Sequence, residues 1–158
     1  MERQERQQIT IENLKDYITF LDGECWSSVK GYENRYFISN RGRLFGTRKR
    51  KLLVPFYANN GNGKYPEDKH LNITLCRDYK IDYRKIHTLV AEAFLVKPNT
   101  NEKLVVHHVD CNPHNNDIRN LMWLPVKKHL QIHSLLRKFN KNLVEFDMQE
   151  NQQIDKIA

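Results

Sequence analysis

The chain has 158 residues, 39% of them hydrophobic, and a formal net charge of +7. That length suits one domain or two very small modules in tandem, with a core that buries only a modest share of the surface. No apolar run is long enough to span a membrane, and the opening MERQERQQIT lacks the apolar stretch of a secretory signal. The three cysteines, Cys25, Cys76 and Cys111, are widely spaced with no Cys-x-x-Cys pair, which excludes a cysteine-based zinc clip and a disulfide framework. An intracellular, cytoplasmic protein with free thiols and no membrane partner is expected.

In chain order, residues 1–23 are a polar extension in which Ile11, Leu14, Tyr17 and Ile18 recur at helical spacing, so a short helix is expected. Residues 24–57 change to short β-prone runs. YFIS lies between turns at Lys30-Gly31 and Arg41-Gly42, RLFGT follows, and KLLVPFY reads as a third strand. Within it, residues 30–51 are strongly basic: Lys30, Arg35, Arg41, Arg43, Arg48, Lys49, Arg50 and Lys51 face only Glu33. Such a block suits a polyanion, most simply nucleic acid.

Residues 58–70, ANNGNGKYPEDKH, are a loop by composition and a candidate hinge. LNITLCR then alternates as a half-buried strand, and DYKIDYRKI continues as a hairpin arm with Tyr79, Ile81 and Tyr83 alternating likewise. IHTLVAEAFL puts Leu89, Val90, Ala93 and Phe94 on one helical face and is stopped by Pro98. KLVVHHV reads as a strand, CNPHNNDIRN as a loop, NLMWLP as a second strand and VKKHLQIHSLLRKF as a helix with Leu130, Leu135 and Leu136 on its apolar side. The acidic, glutamine-rich residues 140–158 read as a flexible tail.

Four of the seven histidines bracket the last strand–loop–strand–helix unit. His129 and His133 are i and i+4 on the helix, so their rings project from one face and suit a shared ion. His107 and His108 are neighbours on a strand and point to opposite faces, so one can complete a metal site while the other needs the strand to end or bend there. Three imidazoles with an open position make a catalytic rather than a structural site, and a fourth histidine off the metal is free to act as a base. Asp110 either orients a histidine or caps the loop, and capping is the simpler reading. His70, His87 and His114 do not fit the constellation and are set aside as bystanders.

The pattern HHVD…NN…NL.WLP…H…H resembles the HNH nuclease motif in its ββα-metal fold, in the version found in homing endonucleases of phages and introns. The resemblance covers about residues 86–134. It implies that His108 is the general base, that His107 and His129 are metal ligands, that Asn120 is the central asparagine and that His133 is an additional ligand. One divalent ion is implied, magnesium or manganese for catalysis. Homing members often have Asn or Asp where this chain has His107 and His129, and a three-histidine set also admits zinc or another transition metal. Met122 stands where relatives often have glutamate.

The stretch ECWSSVKGYENRYFISNRGRLF resembles a NUMOD-type DNA-binding module, with Trp26, Tyr36 and Ile38 expected as its small core. Arg35, Asn40, Arg41, Arg43, Arg48, Lys49, Arg50 and Lys51 are then the candidate DNA-binding residues, since a β-ribbon enters the major groove and arginine pairs with guanine there. The expected fold is α+β: a small β-rich DNA-binding module (24–57), a loop (58–70) and a ββα-metal nuclease module (71–139). The expected function is a metal-dependent endonuclease that nicks double-stranded DNA at a chosen site, acting as a monomer because one motif cuts one strand and no dimer face is evident. The competing readings are a non-catalytic DNA-binding protein with a structural histidine–metal clip, and a non-specific nuclease of the toxin or defence kind.

Overall fold

The computed structural model describes residues 7–57 and 70–139. The 58–70 loop, apart from His70, and the acidic tail lie outside the described residues. The chain separates into two compact units: residues 1–99 with 106–123, and residues 100–105 with 124–158. Nine strands, two helices and two short 3-10 turns make a mixed α+β architecture among the described residues, with the N-terminal half strand-rich.

In the first unit, β1 (Trp26–Ser28), β2 (Tyr36–Ser39), β3 (Leu44–Gly46) and β4 (Lys51–Leu53) form an antiparallel sheet in sequence order. The run Phe37-Ile38 is apolar without alternation because both faces of this sheet are covered. Phe37 and Phe45 pack with Ile9, Leu14 and Trp26 on one side, while Ile38 and Leu44 join Val29 in the larger core on the other. Each of these fully enclosed side chains contributes about 1.5–3 kcal/mol.

That larger core also contains Ile73 and Leu75 of β6 (Leu71–Arg77), Ile86, Leu89, Val90 and Ala91 of α1 (Ile86–Phe94), Val106 of β8 (Leu104–His108) and Leu121 of β9 (Leu121–Pro125). Residues from both expected modules therefore share one core. Tyr36 ties them again, its hydroxyl accepting from the Cys76 amide at 3.0 Å.

Four local expectations are corrected. The N-terminal helix is reduced to a 3-10 turn at Leu14–Asp16. The side chain of Asn13 accepts from the Thr10 amide and donates to the Gln8 carbonyl, so it competes with helical pairing. KLLVPFY is divided: β4 ends at Leu53, and β5 (Phe56–Tyr57) joins β6 and β7 (Lys80–Lys85) in a different sheet. Pro55, which has no N–H to offer a ladder, stands at the break. On β7 the polarity is inverted, with Ile81 and Tyr83 exposed. Arg84 and Asp82 instead sit opposite Ile73 and Leu75, where Arg84 pairs with Glu92 at 2.7 Å and Asp82 accepts from the Tyr32 hydroxyl at 3.2 Å. Helix α1 ends at Phe94, with Leu95 already extended, before Pro98 is reached.

In the second unit, the outer halves of β8 and β9 lead into helix α2 over residues 126–139. The Val126 amide donates to the Lys103 carbonyl at the junction. Leu130, Leu135 and Leu136 of α2 are exposed, so the apolar side expected for this helix is not covered by described residues.

Candidate active site

Strand β8 delivers His107 and His108 in succession, both enclosed. The loop that follows is asparagine-rich because side-chain amides do there what a ladder does in a sheet. The Asp110 carboxylate accepts from the Asn112 amide at 2.8 Å and from the Asn115 side chain at 2.7 Å. Asn120 closes the loop from its far end: its Oδ1 accepts from the Asp110 amide at 3.0 Å, and its Nδ2 donates to Asp110 Oδ1 and to the Asn115 carbonyl. Asp110 therefore caps the loop. The Asn115 amide, with the Asn112 N–H and Asn120 behind it, holds its carboxyl below the usual range.

Within this frame His108 Nε2 lies 3.3 Å from Asn116 Oδ1. The Asn116 amide is oriented by its own Nδ2, which donates to the His114 carbonyl at 3.1 Å, so the atom facing His108 is an oxygen. An amide oxygen only accepts, so Nε2 carries the proton and Nδ1 keeps the lone pair. Burial pulls the His108 pKa down, opposed by the Asn116 bond and the Asp110 charge. The ring is thus held neutral, in one tautomer, as a base must be.

Two further histidines adjoin it. The His87 ring centroid, on α1, is 4.9 Å from that of His108, and the His70 centroid is 5.4 Å away. Burial first, then the neighbouring His70, His108 and Lys85, pushes His87 down to about 2. In the second unit, His129 and His133 bring their Nε2 atoms to 3.2 Å. Either one ring donates to the other or both lone pairs face one cation. A tetrahedral ion with bonds of about 2.0–2.1 Å sets its donor nitrogens about 3.3 Å apart, so the pair fits such an ion.

The basic residues divide by what they touch. Arg41 pairs with Asp117 at 2.6 Å and also donates to the Asp22 carbonyl. Arg43 meets the enclosed Glu24 carboxylate at 3.1 Å, donates to the Thr19 carbonyl and stacks over Trp26. Asn40 holds the Cys25 amide and the Gly23 carbonyl, and its own carbonyl accepts from the Ile118 amide at 2.8 Å. These three tie the protein to itself. Arg35 pairs with exposed Asp78, and Arg50 lies over Tyr17. Among the described residues, no ion pair engages Arg48, Lys49 or Lys51.

Asp117 gathers Arg41, Arg119 and the Arg119 amide, and these bonds hold its carboxyl far below the usual carboxylate range. A carboxyl depressed by folding stabilises the folded state above its unfolded pKa and loses that contribution as pH falls through the folded one. Asp117→Asn is therefore expected to cost about 1–3 kcal/mol at neutral pH. Its cost should shrink below about pH 4, where the unfolded carboxyl protonates. Urea unfolding of both proteins across pH checks this.

Reading the sequence alone missed Asp117 and the two histidines beside His108, and left Asn116 undistinguished within the NN of the motif. Gly42 carried a visible signal as the glycine of an Arg-Gly turn: its φ is +78°, and an added Cβ would meet Asn116 Cβ at 2.8 Å.

Fold and site together define a protein that carries an HNH endonuclease domain. The model described as HNH endonuclease matches residues 84–131, and the NUMOD4 motif matches residues 24–66. The chain is 32% identical over 106 residues to the DNA endonuclease I-HmuI of Bacillus phage SP01, spanning 67% of this chain and 55% of that protein. It is 30% identical over 120 residues to an uncharacterized HNH endonuclease of Acanthamoeba polyphaga mimivirus, spanning 75% of this chain and 33% of the relative. A solved structure of the HNH homing endonuclease I-HmuI, on its DNA binding and cleavage, superposes with a TM-score of 0.60 at 30% identity, covering 72% of this chain and 59% of that one. The chain thus spans only about a third to just over half of these relatives' lengths.

Proposed function

We propose that this protein is a divalent-metal-dependent endonuclease that nicks double-stranded DNA at a preferred site, encoded by a phage or mobile element and acting in the host cytoplasm as a monomer. The observation that carries the reading is the His108–Asn116 pair, which presents a neutral imidazole with a defined lone pair at the end of a buried strand. His108 Nδ1 takes a proton from a water aligned with the scissile phosphorus. Asn116 accepts from the opposite nitrogen throughout and stabilises the imidazolium that forms. Asn120 keeps the loop closed, so that this geometry exists before DNA arrives. His107, His129 and His133 would hold the ion. When bound, it supplies charge stabilisation at a non-bridging oxygen and at the leaving oxygen. The strand-rich segment 24–57 supplies DNA recognition, with Arg48, Lys49 and Lys51 as the cations best placed to meet phosphates.

The test is conversion of supercoiled plasmid to nicked circle with magnesium, manganese or zinc, with and without chelator. Nicking that chelator abolishes, and that His129→Ala reduces at least tenfold, is the expected outcome. DNA retention without nicking in any metal would leave a binding protein and defeat the proposal.

A further inference from the structure

Three of the seven histidines, set aside on sequence as bystanders or assigned to a different task, meet inside the first unit. His70 comes from the residue before β6, His87 from the first turn of α1 and His108 from the end of β8. Their ring centroids are 4.5, 4.9 and 5.4 Å apart, all three pairs edge to face. One nitrogen from each lies within 4.8 Å of the others. His87 and His108 are enclosed, His70 half so, and His87 Nδ1 is buried with no hydrogen-bond partner among the described residues.

A buried imidazole nitrogen left unpaired costs about 1–3 kcal/mol, and nothing in apolar packing repays it. A shared cation would give the three clustered nitrogens a common partner. All three donors are imidazoles with no carboxylate among them, which selects zinc, copper, nickel or cobalt over magnesium or calcium. A tetrahedral ion sets its donor nitrogens roughly 3.3 Å apart, so binding would draw these donors, now within 4.8 Å of one another, closer together.

We propose that His70, His87 and His108 form a second metal site, suited to zinc, copper, nickel or cobalt, whose occupation takes the general base out of service. The ion would claim either the Nδ1 lone pair or the Nε2 that now faces Asn116, and neither arrangement leaves a base. The inhibitory consequence rests on His108 being that base; the binding site itself does not. Zinc in excess over the catalytic ion would then silence the nuclease.

The test separates the two claims. Cobalt(II), read by its visible d–d absorption, is titrated into wild type, into the His129→Ala/His133→Ala double variant, and into the double variant carrying His70→Ala. Circular dichroism confirms folding, and His70→Gln replaces the alanine if the latter unfolds. The expected result is one equivalent bound by the double variant, weakened at least about tenfold by the His70 substitution. No cobalt on the double variant, or binding indifferent to His70, overturns the site. In a second arm, zinc is titrated into manganese-supported plasmid nicking by wild type and His70→Ala. A tenfold higher zinc requirement in the variant supports the inhibitory role, and identical zinc sensitivity overturns it. Absence of nicking in every metal would defeat the nuclease reading while the cobalt titration still judges the site.

Discussion

His108→Ala is expected to slow nicking by about 10²–10⁴, the usual worth of a positioned general base, while DNA retention stays near that of wild type. Under the proposed mechanism His108 takes the proton of the attacking water, in the tautomer that Asn116 fixes. His87 is neutral too, but its ring is buried between those of His70 and His108. Asn116 separates orientation from chemistry. Asn116→Ala removes the acceptor that fixes Nε2–H and should cost about 10–100-fold, in line with other orienting partners. Asn116→Asp keeps an acceptor oxygen and should retain more activity than Asn116→Ala. The independent readout is nitrogen-15 NMR of the His108 ring, which reports Nε2–H in wild type and a tautomeric mixture in Asn116→Ala. A fixed Nε2–H tautomer in Asn116→Ala would remove Asn116 from the mechanism.

What was legible in the sequence was what is local. Strand β6 and helix α1 announce themselves through alternation and through a 3.6-residue period, because each buries one face against the same core. The His-x-x-x-His spacing on α2 needs only helical geometry to bring two nitrogens together. What was illegible depends on partners distant along the chain. Arg41 reads as one more cation of a basic block, and its pairing with Asp117, 76 positions away, is visible only in the fold. Ile81 and Tyr83 read as the inward face of β7, since alternation alone does not say which face is covered. The sheet register, pairing Arg84 with Ile73 and Asp82 with Leu75, decides that. His70, His87 and His108 come from three separate elements, so no spacing rule joins them.

The turn at Gly42 links these levels, and Gly42→Ala is the second large effect expected. Its φ of +78° costs an alanine about 1–2 kcal/mol on backbone grounds alone. The added methyl would also lie 2.8 Å from Asn116 Cβ and 3.1 Å from Ile86 Cγ2. Asn116 Cβ is fixed to its backbone, so the loop must move, and the total destabilisation should reach about 2–4 kcal/mol. Gly31→Ala is the matched control: φ there is +79°, yet the nearest atom to a new Cβ is the flexible end of Arg77 at 4.0 Å. It should cost about 1–2 kcal/mol and leave nicking near wild type below its melting temperature. Gly42→Ala, assayed equally far below its own melting temperature, should still nick at least about tenfold more slowly, because the displaced residue, Asn116, is the one bonded to the proposed base His108. Equal nicking by the two variants would mean that the turn serves stability alone. Unequal nicking would show that the strand-rich segment, through a turn that admits only glycine, sets the position of the base.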